Sequence, residues 1–318
     1  MYIDIEVYMK EYDDITLKRL QSIELMMLND FKAICKKHDI PFFAYAGSGI
    51  GVLRHKGFIP WDDDIDIGFV RDDYERFLKV AKEEMSDKYT VMNNREDENY
   101  PLMTTRLMLK GTKFREIALK DIDCSLGIFL DLYPFDKVPK DKDAFLKQNK
   151  KAWWYSHLLI LRSIPFPALF LYSWKEKVIH FITAIVYGVL KICGVSKKFL
   201  AGKCEKIATQ YNDLKDFDAV NWYFDTAVCS DVFYMNEIFP LKELPFENTT
   251  LTFPNDQDRY LRNLYGDYMT MPPEDRRKNH FPYELDFGIY KDISLEILRN
   301  PDLYIDSNGN ASDRKKDN

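Results

Sequence analysis

The chain has 318 residues, 46% hydrophobic and 15% aromatic, which suits one elaborated domain or two small ones and excludes a disordered protein. A net charge of −6 leaves no basic footprint and argues against a protein that coats nucleic acid. The five cysteines, at 35, 124, 193, 204 and 229, are odd in number and lack a Cys-x-x-Cys pair, so reduced thiols in the cytoplasm are expected. Met1 to Glu6 lack the positive start of a signal peptide.

Residues 1–15 read as a peripheral extension. The spacing of Leu20, Ile23, Met27, Phe31 and Ile34 predicts a core-facing amphipathic helix over Thr16–His38. Phe42 to Ala46 reads as a short buried strand, and Ser48 as the cap of a short helix over Ile50–Arg54. Gly47, Ser48 and Gly49 would let backbone amides approach a phosphate, with Arg54, His55 and Lys56 adding positive charge. After a Pro60-Trp61 turn, carboxylates alternate with isoleucines. On a strand, Asp62, Asp64 and Asp66 share one face while Ile65 and Ile67 enter the core, so the acids can converge on a divalent cation. A glycine turn, nearby cations and clustered acids are the parts needed to handle a phosphate ester or nucleoside diphosphate.

The segment from Ala46 to Ile67, with its Gly-Ser turn, Pro-Trp corner and Asp-Asp-Asp-Ile-Asp-Ile run, resembles the signature of the LicD family, bacterial phosphotransferases related to fukutin and fukutin-related protein. That family is similar to the DNA polymerase β-like nucleotidyltransferase superfamily, whose signature joins a Gly-Ser turn, an Asp-x-Asp strand and a third carboxylate on a later strand. The cysteine-rich zinc site of fukutin-related relatives has no counterpart in this sequence.

Further on, Asp72 is expected to cap a helix over Asp73–Glu84, and strands are expected at Leu102–Leu109 and Thr112–Ile117. Arg106 reads equally as a surface arginine on an edge strand and as a phosphate contact. In the apolar run from Leu126 to Asp136, Asp131 is costly to bury unless paired or metal-bound and is taken as the third carboxylate. Asp136, after Pro134, reads as a turn residue. Residues 141–203 form an apolar helical insertion, whose tryptophans and flanking lysines suit a membrane interface and whose length suits an internal helical subdomain as well. Trp153, Trp154, Phe166 and Leu169 are the expected membrane contacts.

Leu241 to Pro254 reads as two short strands around a Glu-Asn turn, followed by a helix over Asp258–Tyr265 capped by Asn255 and stopped at Gly266. Tyr260 to Pro273 is similar to a second LicD-family signature. Arg276 to His280 is a basic cluster, read as a solvated loop or as a clamp on phosphate or anionic lipid, and 301–318 as a disordered tail.

The combined expectation is an α/β (α+β) nucleotidyltransferase-like mixed sheet flanked by helices, with a core at 16–140 completed by 204–300. Asp62, Asp64, Asp66 and Asp131 would bind Mg²⁺, or Mn²⁺ in its place. Gly47, Ser48, Gly49, Arg54, Lys56, Arg106 and His280 would contact donor phosphate. The family resemblance implies transfer of a phospho-alcohol group, such as phosphocholine, from a CDP-linked donor to a lipid-linked glycan of teichoic acid or lipopolysaccharide type, releasing CMP. It also implies a peripheral position on the inner face of the membrane. Transfer of the nucleotidyl group is the alternative, and a non-catalytic membrane scaffold a second one; nucleic acid is not expected.

Overall fold

The structure, a computed structural model, describes residues 12–166, 174–277 and 279–314. Helix α1 spans Asp14–Lys37, and Asp13 caps it by accepting the Ile15 and Thr16 N–H groups. Every residue from Leu20 to Phe31 is buried, polar ones included. The helix is therefore enclosed, not half-exposed as its apolar stripe suggests, because α9 (Leu295–Arg299) covers its outer side. Arg299 donates to Ser22 Oγ and Arg19 to the carbonyls of Tyr290 and Ile293.

The central sheet orders its strands β1 (Phe43–Ala44), β2 (Asp66–Val70), β6 (Phe129–Lys137), β4 (Thr105–Leu109) and β3 (Tyr89–Met92), with β7 (Ala219–Trp222) and β8 (Asp231–Tyr234) continuing from the far end of β6. β2 and β6 run parallel and the other pairings are antiparallel. β4 pairs with β6 only as far as Leu132, and the pairing of β6 with β7 begins at Asp136. Pro134 lies in the gap between them. The Asp131 N–H points to Ile65 O, the residue before β2, so by alternation position 134 faces the unpaired side, where a missing donor costs nothing.

Alternation also fixes the faces of β2 and β6: Ile65, Ile67, Leu130 and Leu132 enter the main core under α1 and α3 (Arg71–Glu84), while Asp66, Asp131 and Tyr133 face the other way. α3 starts at Arg71 with Val70 in the N-cap position, so Asp72 is a first-turn residue and not the cap. Asp136 is no turn residue. It lies inside β6, 1% exposed, and accepts from Arg71 Nε and Nη2 at 2.7 and 2.6 Å and from Asn212 at 2.6 Å.

β5 (Lys113–Glu116) pairs with β11 (Pro282–Asp286), and β9 (Lys242–Phe246) with β10 (Thr249–Phe253) around the expected Glu247-Asn248 turn. α8 spans Asp258–Tyr265 and ends at Gly266 as expected, but its N-cap is Gln257, not Asn255. The expected disorder of 301–318 is overturned for its described part. Leu303–Ile305 and Ala311–Asp313 pair as β12 and β13, Ile305 is buried, and Arg314 reaches Asp30 of α1 at 2.7 Å.

In the insertion, α4 (Lys142–Ser163) packs on α6 (Lys197–Ala208), burying Leu159 against Leu200 and Ala201. α5 (Trp174–Ile192) instead exposes Val178, Phe181, Ile182, Ile185, Val189 and Ile192, an apolar stripe at helical spacing. Trp154 and Phe166 are exposed, whereas Trp153 stacks on His157 and donates to Thr226 O; Leu169 lies outside the described residues. Among the described residues no single helix is long and apolar enough to cross a membrane.

Candidate metal and substrate site

The parallel register sets Asp66 beside Asp131, and Asp64 enters from the segment leading into β2. Carboxylate oxygens of Asp64, Asp66 and Asp131 lie within 4.8 Å of one another. Burial raises the pKa of all three, with Asp64 reaching about 6, and mutual repulsion adds to the effect. A divalent cation would relieve that repulsion. An all-oxygen set of buried carboxylates is the donor chemistry of Mg²⁺ or Mn²⁺, so the residues present fit such an ion.

Burial and its acidic neighbours also raise the Asp62 pKa well above the ordinary carboxylate range, but its carboxylate faces the Gly47 turn and is not part of this trio. Asp63, the member that strand alternation passed over, is fully buried and binds the site together. It accepts from Tyr12 Oη at 2.7 Å and from the His280 backbone N–H at 2.9 Å. His280 Nδ1 then lies 3.3 Å from both Asp63 and Asp64. Burial opposes its charge, but Asp64 and Asp63 prevail and raise its pKa well above the usual histidine range. His280 thus reaches the acids directly, whereas Arg277 stacks on Trp61.

Ser48 sits within the short helix α2 (Ala46–Ile50), whose N-cap is Tyr45, and its Oγ accepts the Asp66 N–H at 2.8 Å. Its hydroxyl ties the turn to the acidic strand and does not cap a helix. Gly47 lies close to the acids: a Cβ there would come within 3.2 Å of Asp62 Oδ2, tighter than an ordinary contact. Gly49 abuts the side chain of Gln257, so its lack of a side chain serves packing.

The cationic residues lie elsewhere than the sequence suggested. Arg54 donates to the carbonyls of Tyr268 and Thr270, joining the two signature segments. Lys56 is exposed in a left-handed turn. Arg106 is neither a surface residue nor open to a phosphate. It is 3% exposed, donates to Glu116 at 2.6 and 2.8 Å and to Asp131 Oδ1 at 3.1 Å, and lies over the Phe129 ring. Burial alone would raise the Glu116 pKa, but Arg106 pulls it below the usual range.

The acids form the floor of an open cleft of about 1000 Å³, its mouth included. Its walls are Tyr45, Tyr133, Trp222, Phe224 and Tyr265, with Asp225 beside them and Ser156 and Ile160 contributed by α4. Among the described residues no lysine or arginine lines it. Tyr265 of the wall falls in the second signature segment, but Trp222 and Phe224 carry no sequence signal, because they lie some ninety positions from Asp131 and only the fold joins them.

Residues 39–172 match the LicD/FKTN/FKRP nucleotidyltransferase domain. Over 283 residues the chain is 28% identical to the lipopolysaccharide cholinephosphotransferase LicD of Haemophilus influenzae, covering 84% of this chain and 96% of that protein. An uncharacterized protein of Rickettsia typhi is 29% identical over 147 residues, 46% of this chain and 44% of its own. Asp64, Asp66 and Asp131 all fall within the matched domain, and the chain carries a LicD family domain.

Proposed function

We propose that the chain transfers phosphocholine from CDP-choline to a hydroxyl of a lipid-linked lipopolysaccharide or teichoic acid precursor and releases CMP. The observation that carries this reading is the convergence of Asp64, Asp66 and Asp131 on the floor of a cleft that has no lysine or arginine in its described lining. Three carboxylates would repel a diphosphate, so an anionic donor can settle there only with a cation. The relative's cholinephosphotransferase name supports choline as the alcohol.

Asp64, Asp66 and Asp131 would hold Mg²⁺, or Mn²⁺. The ion, when bound, neutralises charge on the donor's diphosphate. Arg106 holds Asp131 Oδ1, which leaves Oδ2 to take the proton of the attacking hydroxyl. His280, kept charged by Asp63 and Asp64, offers a second positive group at the cleft floor. Since the Gly49 N–H is engaged by Tyr45 O, phosphate contacts from the glycine turn fall to the amides of Gly47 and Ser48.

The matched domain's description favours a second reading, transfer of the nucleotidyl group. One experiment separates them. The purified protein is incubated with Mg²⁺, acceptor glycan and CDP-choline, CDP-ethanolamine or CDP-glycerol, and both products are weighed by mass spectrometry. Free CMP with phosphocholine on the glycan is expected. A nucleotide on the acceptor, or no product with any donor, overturns the reading.

The exposed stripe of α5, beside Lys191 and Lys198, supports a peripheral position on the inner face of the membrane. Such a position would bring the cleft near a lipid-linked acceptor.

A further inference from the structure

The aromatic wall of the cleft is more than a continuation of the core. Tyr133 hydrogen-bonds to Asp66 on the floor, and its ring meets Trp222 at a centroid distance of 5.4 Å and an angle of 89°. Trp222 meets Phe224 at 5.0 Å and 77°. Each ring is turned nearly perpendicular to the last, which makes a corner and not the parallel-sided slot that holds a flat base. Tyr265, 48% exposed, borders the same cleft, and the Asp225 carboxylate follows Phe224 directly. Asp225 is satisfied only by its own turn, accepting from Thr226 and Ser230. His280, the cationic side chain among the described lining residues, is paired with Asp63 and Asp64 instead.

A corner of ring faces beside a carboxylate binds a compact, weakly hydrated cation that carries no N–H donors. We infer that Tyr133, Trp222, Phe224, Tyr265 and Asp225 form the subsite for a quaternary ammonium group, one or two ring spacings from the acids that would bind the phosphate end of the same molecule. The inference rests on the cleft being the donor site as proposed above. It makes these residues the ones that select choline over alcohols with a primary amine or no charge. Ethanolamine would have to shed the water around three N–H groups while the rings offer no acceptor and Asp225 alone could replace part of what is lost.

The test is isothermal titration of the full chain with Mg²⁺ and CDP, CDP-ethanolamine or CDP-choline, and separately with tetramethylammonium. The wild-type protein is compared with Phe224→Leu, Tyr265→Leu and Asp225→Asn, each checked for wild-type thermal stability. Expected is tighter binding of CDP-choline than of CDP or CDP-ethanolamine, a margin that each substitution cuts roughly three- to thirty-fold while CDP affinity stays unchanged. If CDP and CDP-choline weaken equally, the rings hold the base and the inference falls. It falls too if the choline margin survives all three substitutions. If no CDP compound binds, the proposed function has failed, and tetramethylammonium decides the subsite alone: binding lost in Phe224→Leu supports it, and no binding to wild type overturns it.

Discussion

Strand β6 carries two buried aspartates, each beside a buried arginine, and the two ends of the strand have different work. At the closed end, Asp136 receives three donors, two from Arg71 and one from Asn212, while Arg71 also reaches Glu205 on α6. At the open end, Asp131 receives one bond from Arg106, which spends its bidentate edge on Glu116. Asp66 and Asp64 crowd Asp131 with like charge, whereas the acid that faces Asp136, Glu205, is itself paired with Arg71. A buried carboxylate with its lone pairs filled ties elements together, whereas one short of donors and crowded by other acids is waiting for a cation.

The largest effects should come from breaking the open end. Asp66→Asn is expected to lower CMP release by on the order of 10²–10³-fold or more, while the metal-free protein melts no lower than wild type because a repulsive charge has gone. A variant that keeps near wild-type turnover would remove Asp66 from the reaction. At the closed end the expectation reverses. Asp136→Asn leaves Arg71 without its principal partner and should cost about 3 kcal/mol in denaturant unfolding, with turnover per folded molecule nearly unchanged.

Acidity sharpens the same contrast. Asp64 titrates at about 6, above its ordinary value of 3.8, so the folded state binds its proton more tightly than the unfolded chain does. Its contribution to stability is therefore present at low pH and lost as pH rises through about 6. Metal-free protein should gain melting temperature from this site as pH falls from 7 toward 5. Mg²⁺ should stabilise at pH 7 and progressively less below about 6, where protons compete for the same oxygens. Melting curves in EDTA and in Mg²⁺ across that range check both signs. The smallest stability effect is expected away from β6. Phe181→Asp with Ile185→Asp on the exposed face of α5 should change unfolding energy by under about 0.5 kcal/mol per site yet abolish sedimentation with anionic liposomes. Unchanged liposome binding would reject the membrane surface.

The acids of β2 were legible because punctuation by glycine and Pro-Trp surrounds a strict alternation, and Asp131 because it interrupts an apolar strand. The same signal marked Asp136, and there proline misled: Pro134 looks like a turn until the gap between β4 and β7 is known. Asp63 escaped because β2 begins only at Asp66, so the residues before it do not obey alternation. Arg106 could be read neither way from sequence, since its partner Glu116 lies ten positions on, across a strand turn. The aromatic wall and the clamp of β12 and β13 on α1 depend on contacts between distant positions, which no local pattern records.

Arg314 lies against Asp30, and the His280 backbone holds Asp63 beside the acid floor, so residues separated by more than two hundred positions meet at α1 and next to the site. A growing polypeptide emerges from the ribosome beginning with its first helix. That helix must wait, its inner and outer sides only partly covered, until residues near 314 have been translated. A nonsense codon that spares the whole aspartate signature but removes these late residues would take away both the Arg314 contact to α1 and the His280 contact to Asp63.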